Sequence, residues 1–529
     1  MSTDKNVHRP EKGILRSTSV MSAGTLLSRI LGFVRDMIFA RFFGTAAGAD
    51  AFVVAFRIPN LFRDLMGEGA ANSSFVPVMT EYKQKGRPDE LKDFLNAVFS
   101  WAVLILCGLA VAGIILAPLI IRLVAPGFAA DALKFQEAVN LTRIMYPYLI
   151  FIGLTAFFSA IQFTYGFFTM PALGPCLLNV VLIVSTLMAV AWMENPIYGL
   201  AIGVIVGGIL QFYFQWLPLK KHGVRFSFPR VMAHPGAQQV GRLLLPRILG
   251  AAVYQVNIFV DTICASLAVI AGPGGIATIY YANRIIQFPM GIFGVALASA
   301  VLPVFAAHVS GKRPEDLKET VAFALKNIYF VMLPTTVFFL LLSRPLIQAV
   351  FERGEFNADS TNVTASVLFF FSLGLMGYGG VKVLAAAFHA LQDTRTPVKA
   401  AIIALIVNAV LNVILMFPMK VSGIALASSI AAMVNLGLLY HFLARRLGGF
   451  ADHFAGFFRK VIVAGFVQAL AVIIAWRVFA ACPLYLHLAL VLLLGSLAYG
   501  GAAWALRLEP AVHAANIVIR YFRWKKPLL

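Results

Sequence analysis

Eight charged side chains, besides Arg41, stand in one apolar stretch near the start of the chain. They are Arg29, Arg35, Asp36, Asp50, Arg57, Arg63, Asp64 and Glu68, set among Leu, Ile, Phe and Val in SRILGFVRDMIFARFFG and DAFVVAFRIPNLFRDLMGEG. A ninth, Arg284, lies in the segment YYANRIIQFP together with Gln287. A guanidinium offers two parallel donors in a fixed plane, which suits phosphate and carboxylate. Arg29, Arg35, Arg63 and Arg284 therefore read as a cationic site for an anionic headgroup. Arg29 and Asp36 are seven residues apart and share a helix face, with Arg35 about 100° round the same turn. Glu68 lies between Gly67 and Gly69, where a helix can thin or break. The same residues allow another reading, in which the arginines pair with Asp36, Asp50, Asp64 and Glu68 to lock or gate helices. In that reading Arg41 and Arg57 reach to the membrane surface.

A second polar cluster is built differently. Gln255, Asn257 and Asp261 lie in one apolar segment, Asn408 and Asn412 sit one turn apart in another, and Ser428 follows in a third. All offer oxygen, the ligand that hard cations such as Na⁺ prefer. A protonatable Asp261 and plain interhelical hydrogen bonding are the alternatives. Cys107, Cys176, Cys264 and Cys482 lack CxxC spacing and read as small buried hydrophobes. His222 and His389 have no neighbour at metal-ligand spacing. No GxxxxGK[ST], GxSxG or HExxH motif occurs, so neither an ATP motor nor these hydrolase chemistries are indicated.

Charges in apolar helices are costly only if the solvent is hydrocarbon, and the composition points to that. Of 529 residues, 60% are hydrophobic and 12% charged, with a mean hydropathy of +0.85; a soluble domain carries roughly 25% charged residues. Apolar runs recur at 17–43, 47–80, 93–124, 137–165, 170–193, 197–219, 240–270, 275–309, 319–350, 361–391, 397–418, 421–444, 457–481 and 484–506. Each can cross a bilayer, for which about 20 residues suffice. The expected fold class is an all-α polytopic membrane protein with about fourteen transmembrane helices. The net charge of +20 is concentrated in short loops between spans, which argues against a nucleic-acid surface. Basic residues precede span 1 (Lys5, Arg9, Lys12, Arg16) and fill alternate loops, including Lys83–Lys92, Lys220–Arg230, Lys312–Lys318 and Arg445–Lys460. The opposite loops are poor in cations, apart from those around Lys134 and Arg353, where acids stand beside the base. This alternation places both termini in the cytoplasm. The first twenty residues have no apolar core with a small-residue cleavage site, so no removable signal peptide is expected.

The chain also repeats. Arg87-Pro88-Asp89-Glu90-Leu91-Lys92 returns as Arg313-Pro314-Glu315-Asp316-Leu317-Lys318, 226 positions later, and the same offset carries Gly24 to Gly250, Pro77 to Pro303, Gly153 to Gly379 and Pro171 to Pro397. Two parallel six-helix repeats plus two C-terminal helices follow, with substrate expected between the repeats. The expected domains are a cytoplasmic tail (1–16), an N-lobe (17–225), a C-lobe (226–447), a final helix pair (448–508) and a basic tail (509–529). The last ends in Arg520, Arg523, Lys525 and Lys526 around Tyr521, Phe522 and Trp524, which suits an anionic lipid interface.

The stretch from SRILGFVRDMIFARFFG through ADAFVVAFRIPNLFRDLMGEGAANSSFVPVMTEY closely resembles the opening of the MurJ (MviN) family. These are bacterial lipid II flippases of the multidrug/oligosaccharidyl-lipid/polysaccharide exporter superfamily. YYANRIIQFPMGIFGVALASAVLPVF and ALQDTRTPVKAA resemble it too, and the likeness extends over essentially the whole chain. The resemblance implies a transporter rather than an enzyme, in the bacterial cytoplasmic membrane. It implies two six-helix lobes around a cationic cavity and a lipid-tail groove on spans 13 and 14. Its cavity arginines fall on Arg29, Arg35, Arg63 and Arg284, and its neighbouring acids on Asp36, Asp50 and Glu68. Asp64 replaces a second arginine found in some members, and Gln287 replaces an acid. A family sodium site falls on Asp261, Asn408, Asn412 and Ser428, with a backbone carbonyl near Ile424. Asn412 stands where some members have aspartate, so weaker cation affinity is expected. The implied partners are lipid II (the undecaprenyl-pyrophosphate-linked disaccharide-pentapeptide) and membrane lipids, with no nucleic acid, a monomeric protein, and no cofactor beyond Na⁺ as a candidate coupling ion. A polysaccharide-unit flippase or a cation-coupled multidrug exporter of the same superfamily is the alternative; the arginines argue against the exporter.

Overall fold

A computed structural model describes residues 9–67, 70–227, 233–449, 452–513 and 516, with side chains for 20–61, 74–227, 233–245, 255–449, 454, 456–513 and 516. All regular structure among these residues is helical, and the chain clusters into two compact units.

The first unit runs to Val269 and takes in residues 273–277 and 353–356. It holds α1 (Arg9–Phe43), α2 (Ala47–Gly67), α3 (Ala70–Gln84), α4 (Pro88–Val124), α5 (Ala132–Met145), α6 (Tyr148–Thr164), α7 (Thr169–Trp192), α8 (Pro196–Lys221) and α9 (Pro235–Ser266). After the single turn α10 (Ala268–Ala271) comes α11 (Gly275–Pro289), whose first residues belong to the first unit. The rest of α11 opens the second unit. Then follow α12 (Val295–Ser310), α13 (Pro314–Phe351), α14 (Ala358–Ser372), α15 (Leu375–Ala390), α16 (Arg395–Met419), α17 (Val421–Leu447), α18 (Asp452–Val478) and α19 (Leu484–Ala505).

Ten helices among the described residues are long and apolar enough to cross a membrane, or eleven if the bent pair α14 and α15 counts as one span. Of the fourteen expected spans, the three not counted are the first, second and seventh. Those are α1, α2 with α3, and α9, which carry the charges singled out from the sequence. In α1 the charges Arg29, Arg35, Asp36 and Arg41 dilute the hydropathy signal that marks the others; α2, α3 and α9 each have described side chains over only part of their length.

Helix starts repeat with the sequence. α4 and α13 each begin with proline in the first turn, followed by Asp89-Glu90 and Glu315-Asp316. There the missing N–H costs nothing and acids oppose the helix dipole. Packing repeats too. In the first unit α4 packs on α5 and α6, α6 on α8 and α7 on α8; in the second, α13 packs on α14 and α15, α15 on α17 and α16 on α17. Proline shapes the long spans. α13 kinks at Leu342 (φ −118°, ψ 15°), three residues before Pro345, and a π turn at Met290–Gly294 follows Pro289. The hairpin α18–α19 buries Val472, Ala475, Leu488 and Val491 against Leu342 and Ala349 of α13.

The turn before α16 is a side-chain cap. Asp393 accepts from the N–H groups of Arg395 (3.1 Å) and Thr396 (3.0 Å) and from Thr396 Oγ1 (2.8 Å), and Arg446 Nη1 at the end of α17 reaches it at 3.1 Å. The Thr396 donors, then Arg395 and Arg446, hold its carboxyl below the usual range. A depressed carboxylate stabilises above its unfolded pKa and loses that contribution as pH falls through the folded value. Asp393→Ala should therefore cost about 1 kcal/mol at neutral pH, the usual value of a cap. The gap from wild type should close below about pH 4, as read by melting of purified protein across pH. A gap that persists unchanged in acid would remove the carboxylate from the explanation.

Candidate functional site

α1 is pressed against α7 by small residues. A Cβ on Gly24 would lie 2.9 Å from the Ala172 carbonyl oxygen, and Cys176 Sγ contacts the Gly24 carbonyl at 3.6 Å. One turn on, Asn179 Nδ2 donates to the Ser28 carbonyl at 3.1 Å. This close seam fixes Arg35. Its Nε and Nη2 both donate to Asp36 Oδ1, at 3.0 and 2.7 Å, and its Nη1 donates to Asn179 Oδ1 at 3.0 Å. The Arg35 side chain is 14% exposed and that of Asp36 1%. The expected acid–arginine pairing thus holds here, between chain neighbours and with an α7 amide that sequence reasoning missed. The signal for Asn179 was present, as a lone amide in an apolar span. Arg29 is half-buried on the same helix.

Asp50 has a different partner from the arginines expected of it. It is 2% exposed, and its Oδ2 takes Lys134 Nζ at 2.7 Å while its Oδ1 accepts from the Ala277 backbone N–H at 2.8 Å. Lys134 Nζ also lies 4.4 Å above the Phe128 ring. This explains why the loop around Lys134 departed from the charge alternation: its ammonium is buried against α2 rather than exposed as a topogenic loop charge. The α1–α2 turn beside Asp50 is gripped by backbone. Glu355 N–H donates to the Arg41 carbonyl at 2.8 Å. Gly44 (φ +52°) and Gly354 (φ +59°) adopt left-handed conformations, and Cβ atoms there would lie 2.4 Å from the Glu355 and 2.3 Å from the Arg41 carbonyl oxygen. Only glycine permits both that φ and that approach. A Cβ on Gly274 would lie 2.2 Å from the Thr45 carbonyl. Residues 273–277 and 353–356, from the second sequence repeat, thus clasp the first turn of the first.

Arg57 finds a partner on α9. It is half-buried, and its Nη1 donates to Thr262 Oγ1 on α9, next to Asp261. Asp261 is half-buried and belongs to the first unit. Asn408, Asn412 and Ser428 meet in the second unit, where all are buried. Asn412 Nδ2 donates to Asn408 Oδ1 (3.0 Å), and Asn408 Nδ2 to Ser428 Oγ (3.1 Å). Two of the oxygens proposed as cation ligands thus already accept hydrogen bonds, the first within α16 and the second tying α16 to α17, the interhelical alternative. No group of three or more His, Cys, Asp or Glu at metal-binding distance occurs among the described residues. Arg284 is half-buried on α11, one turn on from Tyr281, whose ring lies tilted against Phe351 at a centroid distance of 5.1 Å. The side chains of Arg63 and Asp64, and Glu68 altogether, lie outside the described residues.

Half-buried arginines on apolar helices, with a latched turn beside two of them, suit a transporter on a multi-pass membrane fold. The family profile described as lipid II flippase MurJ matches residues 39–494. The chain belongs to the MurJ family. It is 35% identical over 465 residues to a probable lipid II flippase MurJ of Haemophilus influenzae, covering 85% of this chain and 90% of that protein. It is 34% identical over 511 residues to the lipid II flippase MurJ of Burkholderia cenocepacia, covering 93% and 97%. A solved lipid II flippase MurJ in an inward closed conformation superposes with a TM-score of 0.78 at 28% identity, covering 91% of this chain and 97% of that one. An inward-facing multidrug-resistance transporter of the MATE family and the MOP superfamily gives 0.68 at 17% identity, a likeness of fold alone. This MurJ-family chain is accordingly a transporter, as its resemblance implied.

Proposed function

We propose that this protein carries lipid II from the cytoplasmic to the periplasmic leaflet of the bacterial inner membrane by alternating access, as a monomer with both termini in the cytoplasm. The observation that carries this reading is kinship: the lipid II flippase profile spans residues 39–494, and relatives so named match over most of the chain. The chemistry agrees. The barrier to flipping is a large polar, multiply anionic head in hydrocarbon, where each bare charge costs several kcal/mol or more. Arg29, Arg35, Arg63 and Arg284 replace water around the pyrophosphate. The polyisoprenoid tail stays in lipid along α18 and α19. Asp50, with Lys134 and the Ala277 N–H, holds the outer end shut in one state and releases it in the other.

The test is lipid II accessibility at the outer leaflet in cells depleted of the protein and complemented with wild type or Arg284→Ala. Wild type should restore export. The variant should reduce it roughly tenfold or more, the loss of one charge-assisted phosphate contact. Undiminished outer-leaflet lipid II after depletion would sink the proposed substrate. Full export by Arg284→Ala would remove only that arginine.

A further inference from the structure

The tenth span is broken. α14 ends at Ser372, α15 begins at Leu375, and the two axes differ by 45°. The carbonyls freed at the break are taken up. Ser429 Oγ donates to Phe370 O at 2.7 Å, Ser372 Oγ to Phe369 O at 2.6 Å and Thr336 Oγ1 to Ser372 O at 3.4 Å. Interrupted helices in transporters characteristically line substrate or ion sites, because their irregular backbone is tolerated only beside protein or a wet cavity.

α15 is fixed from behind. Cβ atoms on Gly377 and Gly380 would lie 2.9 Å from the Ala432 backbone and 2.6 Å from Leu436 Cδ1 and Tyr329 Oη, so this side of the helix sits flush on α17 and α13. The opposite side carries Tyr378, Lys382 and His389, spaced to share one face. Lys382 and His389 are exposed on it. Lys382 is the only Asp, Glu, Lys or Arg between Asp359 and Asp393. It has no hydrogen-bond, ion-pair or ring partner among the described residues. It lies eight residues, about 12 Å along the axis, from the end of α15 at Ala390. An ammonium at that depth on an open helix face calls for water or an anion, since hydrocarbon penalises it by several kcal/mol. In the first unit Arg35 is held by Asp36 and Asn179, Lys134 by Asp50, and Arg57 by Thr262; Lys382 has no such partner among the described residues.

We propose that Lys382 is a further substrate contact: a point charge of the second unit, two turns past the break in the tenth span, that binds an anionic group of the lipid-linked headgroup. The inference rests on the lipid II reading above. The anion is either the pyrophosphate or a carboxylate of the peptide stem, chemistries that an ammonium recognises alike.

The experiment is native mass spectrometry of the purified full-length protein titrated with lipid II and with undecaprenyl pyrophosphate, paired with outer-leaflet lipid II accessibility in depleted cells. Lys382→Met keeps the length of the side chain without its charge, Lys382→Gln keeps a polar end, and Lys382→Arg keeps the charge. Met and Gln should each weaken lipid II binding roughly tenfold and lower export in proportion, while Arg stays within about twofold of wild type. Loss with both ligands assigns the contact to pyrophosphate; loss with lipid II alone assigns it to the peptide carboxylates. Wild-type binding and export by either Met or Gln would overturn the proposal, leaving a lysine that merely reaches the headgroup layer. If Arg284→Ala still fails in that case, the lipid II reading stands without Lys382. If the wild-type protein binds neither ligand, that reading falls and takes this inference with it.

Discussion

Asp50→Ala is expected to give the largest single loss, in stability as well as transport. Asp50 is 2% exposed, and the Lys134 side chain it holds is 10% exposed. Removing the carboxylate leaves a buried ammonium without its counter-charge, a loss of about 3–5 kcal/mol. It also removes the acceptor from the Ala277 N–H, which adds about 1–3 kcal/mol if the group stays buried. Asp50→Asn should be milder, since its amide oxygen still faces Ala277 while the charge on Lys134 goes unanswered. The pair Asp50→Asn with Lys134→Met discriminates further. If the damage comes from the orphaned ammonium, the double variant should melt above the Asp50→Asn single, a positive coupling in a double-mutant cycle. Its transport should remain impaired if the charged latch must re-form in each cycle. Additive melting effects, or Asp50→Ala within about 0.5 kcal/mol of wild type, would show that the geometry overstates the pair.

Arg35→Ala should abolish export. Its guanidinium spends two donors on one Asp36 oxygen and a third on Asn179, a fork that lysine cannot reproduce. Arg35→Lys should therefore keep only part of the activity. The alanine variant leaves the 1%-exposed Asp36 carboxylate without its guanidinium, again a loss of about 3–5 kcal/mol. Asn179→Ala removes one hydrogen-bond acceptor and should cost about 1 kcal/mol. A second substitution separates scaffold from substrate contact. Arg35→Ala with Asp36→Ala removes the buried charge together with its partner and should recover most of the melting temperature. If export recovers too, Arg35 serves only to hold α1 on α7. If the double variant folds and stays inactive, the guanidinium is needed for the headgroup itself.

Much of this was legible without coordinates, and particular residues show why. Span composition and loop charge reflect the solvent, which acts on each segment separately, so Pro88–Val124 and Arg395–Met419 were readable as crossings from composition alone. The offset from Arg87 to Arg313 shows up again as helix starts with the same proline and acids and as the same helix pairs within each unit. Local spacing put Arg35 beside Asp36, and that pair formed. Spacing was blind where the partner is distant. Asp50 pairs with Lys134, 84 residues away, and caps Ala277, 227 residues away; Arg57 crosses to Thr262. Lys134 was visible only as an exception to the charge rule. Lys382 was a single letter in an apolar run until the glycines behind it and the break above it gave it a face.

By itself the sequence determined the solvent, the repeat, the helical class and the set of charges that a membrane helix would not carry without a use. Hydropathy, charge alternation and kinship are properties of segments and survive without a fold. Only the tertiary structure decided which charge answers which. It left Asn408, Asn412 and Ser428 bonded to one another, gave Asp50 a lysine in place of an arginine, and set Arg35 between Asp36 and α7. The reason is physical: in low dielectric an ion is stable only beside a specific partner within about 3 Å, and which residue arrives there depends on how helices far apart in the chain pack together.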